Sequence, residues 1–164
     1  MMTYSEPSQS DIRRILDETR TIVMVGASAN WNRPSYFAMK YLLGKGYRVI
    51  PVNPGLAGQE LLGELAYASL TEVPGPFEMV DIFRRSTEAA AITDQAIALK
   101  DEKGIRTVWM QLGVRNEEAA AKAQAAGLQV VMDRCPKIEW SRLHAELAWG
   151  GFNTGIISAK RRRA

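Results

Sequence analysis

The chain has 164 residues, 46% hydrophobic and 24% charged, with one cysteine and a formal net charge of +3. Those are the proportions of an ordinary soluble globule and fit one compact domain, residues 1–164, with a core over about 12–143. No apolar run reaches the roughly 20 residues of a membrane helix, no basic-then-apolar leader opens the chain, and the lone Cys135 excludes an internal disulfide and suits a reducing cytoplasm.

Short apolar runs alternate with helical patterns along the chain. "SQSDIRRILDET" (8–19) reads as a helix and "TIVMVG" (21–26) as the strand after it. A helix follows over about 34–45, with Pro34 at its first position and Gly44 or Gly46 to end it. "YRVIPV" (47–52) is the second strand. The stretch "PGLAGQELLGELAYASLTEVPGPFE" (54–78) is turn-rich, with room for a short helix or two. Then come "MVDIFR" (79–84), a helix over about 87–103, "TVWMQ" (107–111), a helix over about 116–126 capped by Asn116, and "LQVVM" (128–132). "IEWSRLHAELAW" (138–149) suggests a last helix, and "KRRRA" (160–164) is a basic tail. That tail reads as a solvated terminus rather than a nucleic-acid or membrane contact. Continuous apolar strands separated by helices predict an α/β, Rossmann-like three-layer fold around a mainly parallel sheet of about five strands.

In such folds ligands lie beyond the carboxyl ends of the strands. The first crossover, "GASANWNRP", starts there. Gly26 permits a sharp turn, the amides of Ala27, Ser28 and Ala29 can form an anion concavity, and the helix opening at Pro34 adds its positive end. Ser28 contributes a hydroxyl and Arg33 a forked cation suited to two phosphate oxygens. An NAD fingerprint would need further glycines after Gly26 and an acid closing the second strand, where Asn53 and Pro54 stand instead. A Walker loop is missing as well.

"VGAS", "RPSYFAMKYLLGKGYRVIPVNP", "VDIFRR", "WMQLGV" and "GLQVVMDRCPKIEWSRL" together resemble the small bacterial and archaeal CoA-binding proteins, a free-standing counterpart of the N-terminal domain of the succinyl-CoA synthetase alpha subunit. The resemblance spans about residues 12–143 and implies coenzyme A as the ligand. By position, Gly26, Ala27, Ser28 and Ala29 would cradle the diphosphate with Arg33 as cationic partner. Asn53 and Pro54 would sit against the adenosine end, Phe83 and Arg84 would flank the nucleotide or its phosphates, and Met110 and Gln111 would face the pantetheine arm. Many relatives carry a lysine or arginine after the Asn-Pro pair, where it could reach the 3′-phosphate. This chain has Gly55-Leu56, leaving Arg84, Arg85 and Lys45 as the cations that could compensate.

No catalytic triad or nucleophile elbow is present, and the synthetase's phosphorylated histidine belongs to a domain that this length does not accommodate. His144 is expected to be an ordinary helix-face residue, and one His with one Cys does not make a protein-only zinc site. Cys135, with Arg134 and Lys137 as neighbours, has two readings: a structural cysteine, or a thiol near the end of bound coenzyme A that forms a mixed disulfide with it. Asp81 must be paired or neutral if it points inward and is otherwise expected to cap or tie loops near the sheet end, and Asp133 is expected to pair locally with Arg134. Trp31 either covers a ligand or packs on its own helix. The functions weighed are non-catalytic binding of coenzyme A or a short acyl-CoA, an NAD(P)-linked or other nucleotide-dependent enzyme on the same fold, and an interaction protein with a vestigial pocket. A homodimer through Trp140, Leu143, Leu147 and Trp149, or assembly with a partner subunit, is left open by the same apolar helix face.

Overall fold

The computed structural model describes residues 3–144. The expected helix beyond His144, with Leu147 and Trp149, and the basic tail at 160–164 lie outside the described residues. Helix α1, Gln9–Glu18, opens on a capping box: the Ser8 side chain accepts from the Asp11 N–H while the Asp11 carboxylate accepts from the Ser8 N–H. Its buried side, Ile12, Ile15 and Leu16, packs on the sheet layer.

Strands β1 (Thr21–Val25) and β2 (Arg48–Val52) flank helix α2 (Pro34–Gly44) in sequence, the first right-handed crossover unit. The turn-rich stretch holds two short 3-10 turns and a small antiparallel hairpin that the sequence reading lacked, β3 (Glu60–Leu61) with β4 (Glu64–Leu65). Its turn uses Leu62 and Gly63, both at positive φ. After it come β5 (Met79–Ile82), α3 (Ser86–Lys103), β6 (Thr107–Met110), α4 (Glu117–Ala125), β7 (Gln129–Val131) and α5 (Pro136–Leu143). Gly104 ends α3 in the left-handed region, and Asn116 caps α4 by accepting the Ala119 N–H.

The main sheet has five parallel strands in the order β2-β1-β5-β6-β7. The alternation of side chains sorts its two faces. Val23, Val80, Ile82, Val108, Met110 and Val130 join the cluster under α3 and α4. Ile22, Met24, Met79, Trp109 and Val131 join the cluster under α1, α2 and α5. The chain leaves β1 toward β2 on one side and returns across β1 to β5 on the other, so the direction of winding reverses between β1 and β5. That reversal creates a crevice at their carboxyl ends.

Candidate functional site

At this crevice Gly26 adopts φ +95°, a conformation natural to glycine alone. The requirement is also steric. A Cβ there would collide with the Phe83 carbonyl and come within 2.8 Å of Cδ of Arg84. The glycine thus lets the loop after β1 pass directly against the loop after β5. Parallel pairing carries on past the strand ends: the Gly26 N–H donates to Val52 O at 2.9 Å and the Phe83 N–H to Val25 O at 2.8 Å.

A cleft of about 420 Å³ opens here, lined by Gly26, Ser28, Arg33, Pro34, Ser35, Asn53, Phe83 and Arg84. Its inner wiring differs from the sequence expectation in one respect. The Ser28 N–H is spent on the Ser35 Oγ at 3.1 Å, while the Ser28 Oγ accepts the Asn30 N–H at 3.1 Å. The Ala27, Ala29 and Ser35 N–H groups have no hydrogen-bond acceptor among the described residues. Pro34, which lacks an N–H, starts α2 directly behind them, so the open end of that helix faces the same cleft. Of the three, Ser35 lines the cleft beside Arg33 and Pro34, whereas Ala27 is buried and Ala29 lies outside the lining; an open amide at a helix amino end next to a guanidinium is an anion-receiving arrangement.

Asn53 holds the crevice together. Its Nδ2 donates to Ala27 O at 2.8 Å, and its Oδ1 accepts the Gly55 N–H at 2.9 Å. One side chain therefore fixes both the loop after β2 and the loop after β1. Pro54 follows it in an exposed 3-10 turn.

The cations divide into two groups. The Arg33 guanidinium is exposed, with no hydrogen bond or ion pair among the described residues. Arg84 lays its aliphatic stem on Gly26, and its Nε and Nη2 donate to Glu88 Oε1 at 3.1 and 2.6 Å. The Arg84 hydrogen bonds and charge hold the Glu88 carboxyl below the ordinary glutamate range. Lys45 is at the far end of α2, its ammonium over the Trp140 ring at 4.7 Å and the Tyr41 ring at 5.1 Å. It cannot supply the cation missing after Asn53-Pro54. Arg85, the residue before α3, remains exposed.

Met110 and Gln111 diverge. Met110 is fully buried in the cluster under α3 and α4 and lines no part of the cleft. Gln111 is 7% exposed, and its Oε1 has no hydrogen-bond partner among the described residues. Cys135, 8% exposed, precedes α5 and lines a second concavity of about 310 Å³ with Arg115, Asp133, Arg134 and Ile138.

Several acidic residues sit differently from expectation. Asp81 ties no loop. It is fully buried in mid-strand, in register with Met24 and Trp109, and neither carboxyl oxygen has a hydrogen-bond partner among the described residues. Burial pushes its carboxyl well above the ordinary aspartate range. Asp133 does not pair with Arg134: its Oδ1 accepts the Gly113 N–H at 2.7 Å, while Arg134 reaches Glu6 at 3.6 Å and Glu139 at 3.4 Å. His144, the residue that ends α5, is buried, stacked on Trp140 with ring centroids 4.0 Å apart and Nε2 3.3 Å from Asp17. Trp31 is 70% exposed and so is not packed on its own helix.

A family model for the CoA binding domain matches residues 20–141, most of the chain and all of the crevice just described. The chain belongs to this CoA-binding-domain family. YneT of Bacillus subtilis, itself uncharacterised, is 36% identical over 132 residues, covering 80% of this chain and 93% of YneT. A hypothetical protein of Pyrococcus horikoshii OT3 has the same fold at TM-score 0.76 and 40% identity, covering 84% of this chain and 92% of that one. An acetyl-coenzyme A synthetase 1 of Ca. Korarchaeum cryptofilum aligns at TM-score 0.59 and 20% identity, over 75% of this chain and 28% of its own length. That likeness concerns the fold alone. Family membership associates the chain with coenzyme A. No helix among the described residues is long and apolar enough to cross a membrane.

Proposed function

We propose that the crevice between β1 and β5 binds coenzyme A or a short acyl-CoA without transforming it. The pyrophosphate lies against the Ser35 amide, with Arg33 as its forked cation and the α2 amino end behind it. The observation that carries this reading is the pairing of an unspent Ser35 N–H with the unpaired Arg33 guanidinium at the α2 amino end, both lining one cleft of a CoA-binding-domain chain. The lining contains no histidine, cysteine or carboxylate to serve as nucleophile or general base, which favours binding over catalysis. Asn53, standing where a dinucleotide enzyme needs an acid for its ribose, favours coenzyme A over NAD. The second concavity, with Cys135 on its wall, takes the thiol end; oxidised coenzyme A would exchange there, releasing one coenzyme A thiolate and leaving the other in a mixed disulfide.

Calorimetry against coenzyme A, dephospho-coenzyme A, NAD and ATP tests the proposal. Coenzyme A should bind, NAD should not, and Arg33→Ala should weaken binding by about 2 kcal/mol, the worth of a charge-assisted pair. Undiminished affinity in Arg33→Ala would remove that residue from the site. Mass spectrometry with oxidised coenzyme A should show an adduct that Cys135→Ala lacks.

A further inference from the structure

The two arginines of the cleft stand in different states. Arg33 is unpaired, whereas both Nε and Nη2 of Arg84 are committed to a single oxygen of Glu88. The Arg84 stem lies against Gly26 at the crossing of the two loops, and Glu88 holds its head. Glu88 itself stands in the first turn of α3, where the helix amino end and the preceding Arg85 favour a carboxylate. Glu88 stands outside the cleft lining, which itself supplies no carboxylate.

We propose that Glu88 is a specificity-setting residue of this cleft, an internal anion that occupies the Arg84 head and yields it only to a ligand carrying more negative charge. This rests on the coenzyme A reading above. A lone carboxylate or phosphomonoester meets Arg33 alone and must compete with Glu88 on nearly equal terms for Arg84. A pyrophosphate bound to Arg33 and the Ser35 amide brings further charge against the second guanidinium and takes it over. Glu88 thereby lowers affinity for every anion while filtering out weakly charged ones. It positions Arg84 and touches no reacting group.

The test is calorimetry of full-length wild type, Glu88→Gln, Arg84→Ala and the double variant against coenzyme A, with Arg33→Ala as reference. Glu88→Gln should tighten binding about two- to fivefold, the range of an exposed ion pair released. Arg84→Ala should weaken it. In the double variant, Glu88→Gln should add less than about twofold to Arg84→Ala, because nothing remains for Glu88 to hold. Unchanged or weaker binding in Glu88→Gln, with Arg33→Ala still defective, overturns this inference and leaves the binding cleft intact. A gain that persists undiminished without Arg84 also overturns it, since Glu88 would then act as a distant charge alone. Absence of coenzyme A heat in every variant overturns the cleft reading and this inference with it.

Discussion

Two hollows at the carboxyl ends of the strands are built from similar residues and differ in what those residues are free to do. Around Gly26, the Ser35 amide is unspent, Arg33 is unpaired and Arg84 is held by a half-buried glutamate. Around Cys135, Arg134 is shared between Glu6 and the mostly buried Glu139, which also binds Arg142, and Asp133 is tied to the Gly113 amide. The same charged groups stand open to a phosphate in one place and brace the wall that carries Cys135 in the other. What separates them is the anion supply: the brace carries its own carboxylates, and the lining of the first cleft carries none. An unsatisfied cation among unsatisfied donors invites an outside anion; a satisfied one strengthens the fold.

The strongest way to break the contrast is Gly26→Ala. It forces a side chain into a positive-φ position that also collides with the loop after β5, and should cost about 3 kcal/mol of stability together with ligand binding. Thermal unfolding and calorimetry on one preparation would show both losses. Next is the exchange of roles between the hollows. Arg33→Ala should lose about 2 kcal/mol of binding and leave the melting temperature unchanged. Glu139→Gln, breaking a pair network at a largely buried carboxylate, should lose about 1.5 kcal/mol of stability and change coenzyme A affinity far less than Arg33→Ala does. Equal effects of the two variants on binding would erase the distinction.

Asp81 sharpens the comparison from below, since β5 carries one wall of the first hollow and pairs with β6 on the side of the second. Its folded carboxyl titrates well above the ordinary aspartate range because burial disfavours the charge. The folded state therefore holds a proton that the unfolded chain releases above its own, lower value. The stability this contributes is complete below the unfolded value and falls as pH rises toward the folded one, by up to about 1.4 kcal/mol per pH unit. Urea unfolding at pH 5 and 7 should show wild type losing stability over that interval and Asp81→Asn losing less. Identical slopes would mean that Asp81 is ionised and partnered.

Much of the frame is legible in the residues. Helix starts at Ser8, Pro34 and Asn116 and stops at Gly104 and Gly127 follow from local chemistry, so their positions agree with the structure to within a residue or two. The hairpin at β3 and β4 is too short for any period to show, and Leu62 at positive φ carries no turn signature. The burial of Asp81 runs against its residue type. Only the alternation within "MVDIF" hints that it faces inward with Met79, and a polar residue in a buried strand reads more readily as a strand end. Glu88 carries a single sequence signal, the i,i+4 spacing from Arg84, which occurs on many solvated helices.

The sequence by itself determined the parallel α/β layout, the glycine turn after the first strand, the arginine at the mouth of the helix and the resemblance to CoA-binding proteins. Each depends on neighbours within a few residues or on the order of motifs along the chain. Tertiary structure alone decided that winding reverses between β1 and β5, that Arg84 rests on Gly26, that the Ser28 amide is spent on Ser35, and that Lys45 lies at the wrong end of α2. These are contacts between loops or helix ends brought together by sheet pairing, and a donor is free or spent only once its spatial neighbours are fixed.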